Sequence, residues 1–276
     1  MNVIAAVNGQ LSAEVAARYG LHFARVHGLA LSLLHILNPG DSIRAVEESM
    51  ANIEELARGY QLASQRVILQ GPPMETLRRY LQGNKGAMLF CSTRYRPRRN
   101  LYTLSFGQEL LSQDLPVDLA VVRVVQPHST LTTERILLPI KEGRLSVEKF
   151  TFFASMLKAY QASGEIYSVT VTSRKKKANL DLGTTRQLLQ QIDDRLSHYR
   201  QLALHMDIPL RLKHAIAVNE VDQLLHHLSH GDFQLMIVGG ERLSAYSSFI
   251  KAKPIDRLQR STPVNTIAFY PREKGR

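Results

Sequence analysis

The most constraining feature of this sequence is that its later parts repeat without a gap. At an offset of 147, Met74-Glu75-Thr76-Leu77 falls on Val221-Asp222-Gln223-Leu224, and Leu81 falls on Leu228. Ala87-Met88-Leu89-Phe90-Cys91 falls on Gln234-Leu235-Met236-Ile237-Val238, and Pro116–Val122 falls on Pro263–Phe269. Nearer the start of each copy the offset is 133 or 134, which places an insertion in the second copy around Thr172–Thr185. Three matches in the same order and register identify an internal duplication. A chain of 276 residues suits two domains of ~100–200 residues each. The copies read as 1–126 and 134–276, joined by the polar, proline-containing linker 127–133.

Both copies open in the same way. Asn2–Gly9 and Arg135–Gly143 are short apolar runs closed by a turn, the pattern of a strand buried on both faces. A serine follows each (Ser12, Ser146) as the predicted N-cap of a helix over 13–26 or 147–161. A glycine, Gly28 or Gly164, is the predicted stop before the next apolar run. Strand–helix–strand units of this length imply parallel pairing. With long amphipathic second helices predicted over 41–59 and 185–205, each copy runs β-α-β-α-β-α-β-α-β. The expected fold class is α/β, with two doubly wound domains, each on a parallel five-stranded sheet.

Composition narrows the function classes. A hydrophobic share of 44% with 21% charged residues excludes wholesale disorder. The single cysteine, Cys91, excludes an internal disulfide framework and any multi-cysteine zinc site. No run approaches the ~18 apolar residues of a membrane-spanning helix, and Met1–Val7 lacks a signal peptide's basic start. The expected location is cytoplasmic. Thirty-five Lys and Arg against 24 Asp and Glu give a net charge of +11, which favours anionic partners.

Ligands of open α/β sheets bind beyond the carboxyl ends of the strands. The turns to inspect are therefore Asn8-Gly9, Lys141-Glu142, Ser92–Asn100 and Gly239–Ser244. These turns resemble those of the universal stress proteins. Val7-Asn8-Gly9 stands where that family has Val-Asp-Gly, and Ser92-Thr93-Arg94-Tyr95 where it has Gly-Thr-Arg-Gly. Ser12 and Ser146 open the first helices, and a proline introduces each last strand. The chain is similar to a tandem member of that family, two domains covering nearly all of it. The resemblance implies an intramolecular pseudo-dimer paired through the last strands, Leu119–Val124 with Thr266–Phe269. It also implies stress-response regulation by binding and not by turnover.

ATP-binding members of that family carry Gly-x2-Gly-x9-Gly-Ser/Thr after the fourth strand, where glycines admit phosphate to backbone N–H groups. The four positions here are Ser92, Tyr95, Ser105 and Phe106 in the first copy, and Gly239, Arg242, Ala252 and Lys253 in the second. Seven of the eight depart from the pattern, and the acidic residue after the first strand is replaced by Asn8 and Lys141. An acid-free stretch, Thr76–Gln108, instead supplies Arg94, Arg96, Arg98 and Arg99, and guanidinium groups hold phosphate bidentately. Two readings of that loop stand: a solvated basic face, or a side-chain cradle for an adenine nucleotide. The candidate nucleotide or anion residues are Asn8, His35, Arg94, Arg96, Arg98, Arg99, Gly239 and Gly240.

Other motifs carry less. Arg174-Lys175-Lys176-Lys177 is basic but lacks the interleaved aromatics that base stacking needs, so nucleic acid is not an expected partner. His226 and His230 have the i,i+4 spacing of metal ligands without a nearby third, so they read as ordinary histidines and no metal is expected. Cys91 reads as a small buried hydrophobe and not a reactive thiol, because it aligns with Val238. Ser244, Ser247 and Ser248 lack a nucleophile context, so no catalytic residue is expected. Expected partners are an acidic protein surface and a second copy of the chain. The alternatives to a regulatory binding protein are a genuine ATP- or AMP-binding protein with weak ATPase activity and a cytosolic regulator of a membrane transporter.

Overall fold

The computed structural model describes residues 1–84, 86–93, 109–111, 115–141, 146–173, 181–240, 258 and 261–272. Within them the apolar runs form strands and the amphipathic stretches form helices. The chain divides into two compact units. The first is built on Met1–Thr130 with the described residues of 239–251 and 267–276; the second is built on Leu131–Val238 with those of 252–266.

In the first unit, β1 (Asn2–Ala6), α1 (Leu11–Val26), β2 (Ala30–Leu37), α2 (Ile43–Gly59), β3 (Ser64–Gln70), α3 (Pro73–Gly83), β4 (Gly86–Ser92) and β5 (Asp118–Arg123) follow one another. All four pairings are parallel, in the order β3-β2-β1-β4-β5. The strand order reverses between β1 and β4, the switch point at which such sheets open a crevice. The predicted linker is folded, with a 3-10 turn over Pro127–Thr130 that buries Ser129 and Thr130.

The second copy repeats the scheme with β6 (Arg135–Lys141), α4 (Val147–Tyr160), β7 (Ser163–Val171), α5 (Leu182–His205), β8 (Leu210–Ala217), α6 (Glu220–His230), β9 (Leu235–Gly239) and β10 (Asn265–Tyr270). The order is β10-β9-β6-β7-β8, again parallel where register is defined. The bounds of α3 and α6, and of β5 and β10, differ by the 147 read from the sequence. The predicted fourth helices fall mostly outside the described residues. About half of the insertion goes into a helix, since α5 has 24 residues where α2 has 17.

Two local readings are corrected. Ser146 does cap α4, its Oγ accepting from the Lys149 N–H at 3.2 Å, but Ser12 lies inside α1, which starts from Gln10 with no side-chain cap. Gly28 follows α1 with φ +60°, as a helix stop should, whereas Gly164 belongs to β7. The residue that ends α4 in the left-handed region is Gln161. Gly164 is required for packing: a Cβ there would stand 2.6 Å from Leu157 and 2.9 Å from Phe153. Removing the side chain of fully buried Phe153 would cost about 3–5 kcal/mol, the usual range for a core phenylalanine.

Candidate functional site

At the carboxyl edge of the first unit the β1 turn closes down onto α2. Gly9 has φ +73°, and a Cβ there would meet backbone atoms of Ala45 and Val46 at 2.9 Å. Only glycine satisfies both the conformation and the approach. Asn8, exposed, uses its Oδ1 to accept from the Gln10 N–H at 3.2 Å. His35 sits near the end of β2, buried, with Nδ1 donating to the Val7 carbonyl at 2.8 Å. Its Nε2 lies 3.3 Å from Asp41 Oδ2, and the same oxygen accepts from the Asn38 N–H at 2.9 Å. Asn8 and His35 are thus brought to one edge. His35 braces the β1 turn against the turn before α2.

Ser12 Oγ and Ser92 Oγ approach within 3.5 Å at the switch point, between the start of α1 and the end of β4. Sequence reasoning took Ser12 as a helix cap and Ser92 as a departed cradle position, and it placed Asp41 only at the start of the second helix. Asp41 lies in a turn whose short-range partner, Asn38, carries no periodic signal. Cys91, one residue before Ser92, is buried, and burial pushes its thiol up to about 12, so it packs as a hydrophobe and holds its proton. Arg94, Arg96, Arg98 and Arg99 lie outside the described residues.

In the second copy Gly239 ends β9 and Gly240 follows it. Gly240 donates its N–H to the Phe269 carbonyl at 2.9 Å, and a Cβ on it would overlap the Tyr270 ring at 1.9 Å. The space that this glycine opens is filled by an aromatic ring of the same chain. The structure does not bring Gly239 and Gly240 into one described cluster with Asn8 and His35.

Polar chemistry also gathers on β7, where Glu165 is buried. His227 Nε2 hydrogen-bonds its Oε1, while Lys213 Nζ and Arg135 stand 3.1 and 3.7 Å from its Oε2. The His227 ring lies flat on Tyr167, centroids 4.0 Å apart. The cluster sits toward the amino end of β7, away from the carboxyl edge, and fixes α6 to the sheet. His230 is occupied otherwise, its Nδ1 on the His226 carbonyl at 2.8 Å. Among the described residues no group of three or more His, Cys, Asp or Glu side chains is arranged to hold a metal, and no helix is long and apolar enough to cross a membrane.

No protein-family model matches the sequence, and no curated protein matches it. Solved structures do. A universal stress protein from Archaeoglobus fulgidus DSM 4304 superposes with a TM-score of 0.65 at 11% identity, covering 99% of this chain and 97% of that one. A functionally unknown protein from Pseudomonas aeruginosa PAO1 gives 0.60 at 13% identity, covering 99% and 93%. The cytoplasmic domain of a prokaryotic cation chloride cotransporter gives 0.58 at 12% identity, covering 99% and 96%. The chain has the universal stress protein fold, in tandem.

Proposed function

We propose that this chain is a cytoplasmic stress-response regulator of universal stress type, which acts by binding a ligand or partner and not by turnover. The copies 1–126 and 134–276 pair, in this reading, through their last strands. One observation carries it: the edge where such a fold would cradle a phosphate is occupied by the chain's own groups. Tyr270 lies over Gly240, and His35 commits its Nδ1 to the Val7 carbonyl. Seven of eight cradle positions hold other residues.

The candidate ligand is an adenine nucleotide, held in the first copy by Asn8, His35 and the arginines at 94, 96, 98 and 99. The net charge of +11 favours an acidic protein as partner, and a second copy of the chain completes a homodimer. The likeness to a cotransporter's cytoplasmic domain supports a second reading, a cytosolic regulator of a membrane transporter.

Thermal shift with ATP or AMP separates these readings. A partner-binding protein shows no nucleotide shift. A nucleotide-binding protein shows one that disappears in Arg96→Ala/Arg98→Ala. Phosphate release above a heat-killed control at high protein concentration would overturn the non-enzymatic reading.

A further inference from the structure

His35 is 3% exposed, and its Nε2 has no hydrogen-bond partner. The other ring nitrogen, Nδ1, stands 2.8 Å from the Val7 carbonyl. A carbonyl only accepts, so Nδ1 carries the proton. In the neutral ring Nε2 is then a bare lone pair, and Asp41 Oδ2, 3.3 Å away, is a second acceptor. A further proton on the ring does not resolve the conflict. The Asp41 contact forms no hydrogen bond, so the new N–H would be buried without one. Two acceptors that meet in a buried place are reconciled by a cation between them.

Their separation is the one a metal imposes. With metal–ligand distances of ~2.0–2.2 Å and a tetrahedral angle, an imidazole nitrogen and a carboxylate oxygen stand about 3.3–3.5 Å apart. Both groups come from one short segment: β2 carries His35 near its end, and the turn before α2 brings Asp41 back to it. Each is also held from behind. The Nδ1–H on Val7 fixes the ring and its tautomer, as the outer-shell partner of a metal-bound histidine does. Asp41 Oδ2 accepts from the Asn38 N–H at 2.9 Å, and Asn38 in turn donates its Nδ2 to the Ile36 carbonyl at 3.0 Å. The Asp41 side chain is 27% exposed, which leaves a cation a way in.

We propose that His35 Nε2 and Asp41 Oδ2 form a two-ligand site for a zinc-class divalent cation at the carboxyl edge of the first unit. Imidazole selects such ions over Mg2+ and Ca2+, which take oxygen ligands. Among the described residues no third His, Cys, Asp or Glu joins the pair, so the remaining tetrahedral positions go to water or to an anion reaching this edge. Cys91 does not compete, because it is buried and keeps its proton.

The test uses the full chain carrying His226→Gln/His230→Gln, which removes an i,i+4 histidine pair able to hold zinc by itself. Calorimetric titration with Zn2+ should reveal a site that Asp41→Asn or His35→Gln weakens about tenfold or more, at least the loss that removing an outer-shell partner causes. Asp41→Asn keeps an acceptor for the Asn38 N–H, so the result does not hinge on His35→Gln folding. Long-range 1H–15N spectra should show Zn2+ shifting the His35 Nε2 resonance while Nδ1 stays protonated. Undiminished Zn2+ binding in Asp41→Asn overturns the inference, as does a His35 Nε2 resonance that Zn2+ leaves unmoved, or equal affinity for Mg2+. A nucleotide thermal shift bears on the proposed function alone, so the two readings fail separately.

Discussion

His22 sits on α1 with its ring 5.6 Å from that of Tyr60, and burial, with Arg25 and Arg18 adding to it, lowers its pKa to about 4. The unfolded chain takes up this proton near pH 6.5, the folded one only near 4. As pH falls the unfolded state therefore gains protons first, and stability present above 6.5 is lost between 6.5 and about 4. The ceiling is about 3 kcal/mol. Urea unfolding at several pH values should give a shallower slope in His22→Gln across that window, and identical slopes would refute the assignment. Gly240 makes an equally local prediction. Gly240→Ala forces a methyl group into the Tyr270 ring, with an expected cost of about 1–3 kcal/mol, and Tyr270→Ala in the same chain should recover part of it. Neither environment was legible beforehand, because ring partners from distant segments leave no mark on local spacing. Cys91 was legible, since its match to Val238 already said that the position tolerates only a small hydrophobe.

Among the elements, those whose neighbours are local in sequence were read well. Both amphipathic third helices, α3 and α6, and the last strands emerged in register, because periodicity and the duplication agree there. The failures were at ends decided by tertiary contact. Ser12 resembles a cap by position, yet α1 begins at Leu11 and turns that serine toward Ser92. Ser146→Ala should therefore cost about 1 kcal/mol in thermal or urea unfolding, while Ser12→Ala should not register as cap loss. The helix α5 gives a sharper contrast. Leu196→Ala, in its buried half, should cost about 2–5 kcal/mol, and Leu182→Ala, at its exposed start, no more than about 0.5 kcal/mol. Equal losses would mean that this start packs as core.

At the scale of the molecule, the duplication dictated the same strand order twice, and it also explains why so little of the site could be read. A repeat reports what both copies need in order to fold, whereas Asn8 against Lys141 and Ser32 against Glu165 show the copies diverging in their polar residues. The arginines on which the proposed anion site of the first copy depends lie outside the described residues. The end of the chain has a consequence that repeat logic would not suggest. Residues 267–270 group with the first unit, where Phe269 accepts from Gly240 and the Arg272 N–H bonds Asp118 Oδ1 at 2.8 Å. Ile267 and Phe269 are buried, each contributing about 1.5–3 kcal/mol. A chain ending at Ser261 should therefore weaken β4 and β5 as well as the second unit. Hydrogen exchange should show the amides of 88–92 and 119–122 losing protection by about a hundredfold or more, as about 3 kcal/mol requires. Unchanged protection there would mean that the first unit stands without the last strand.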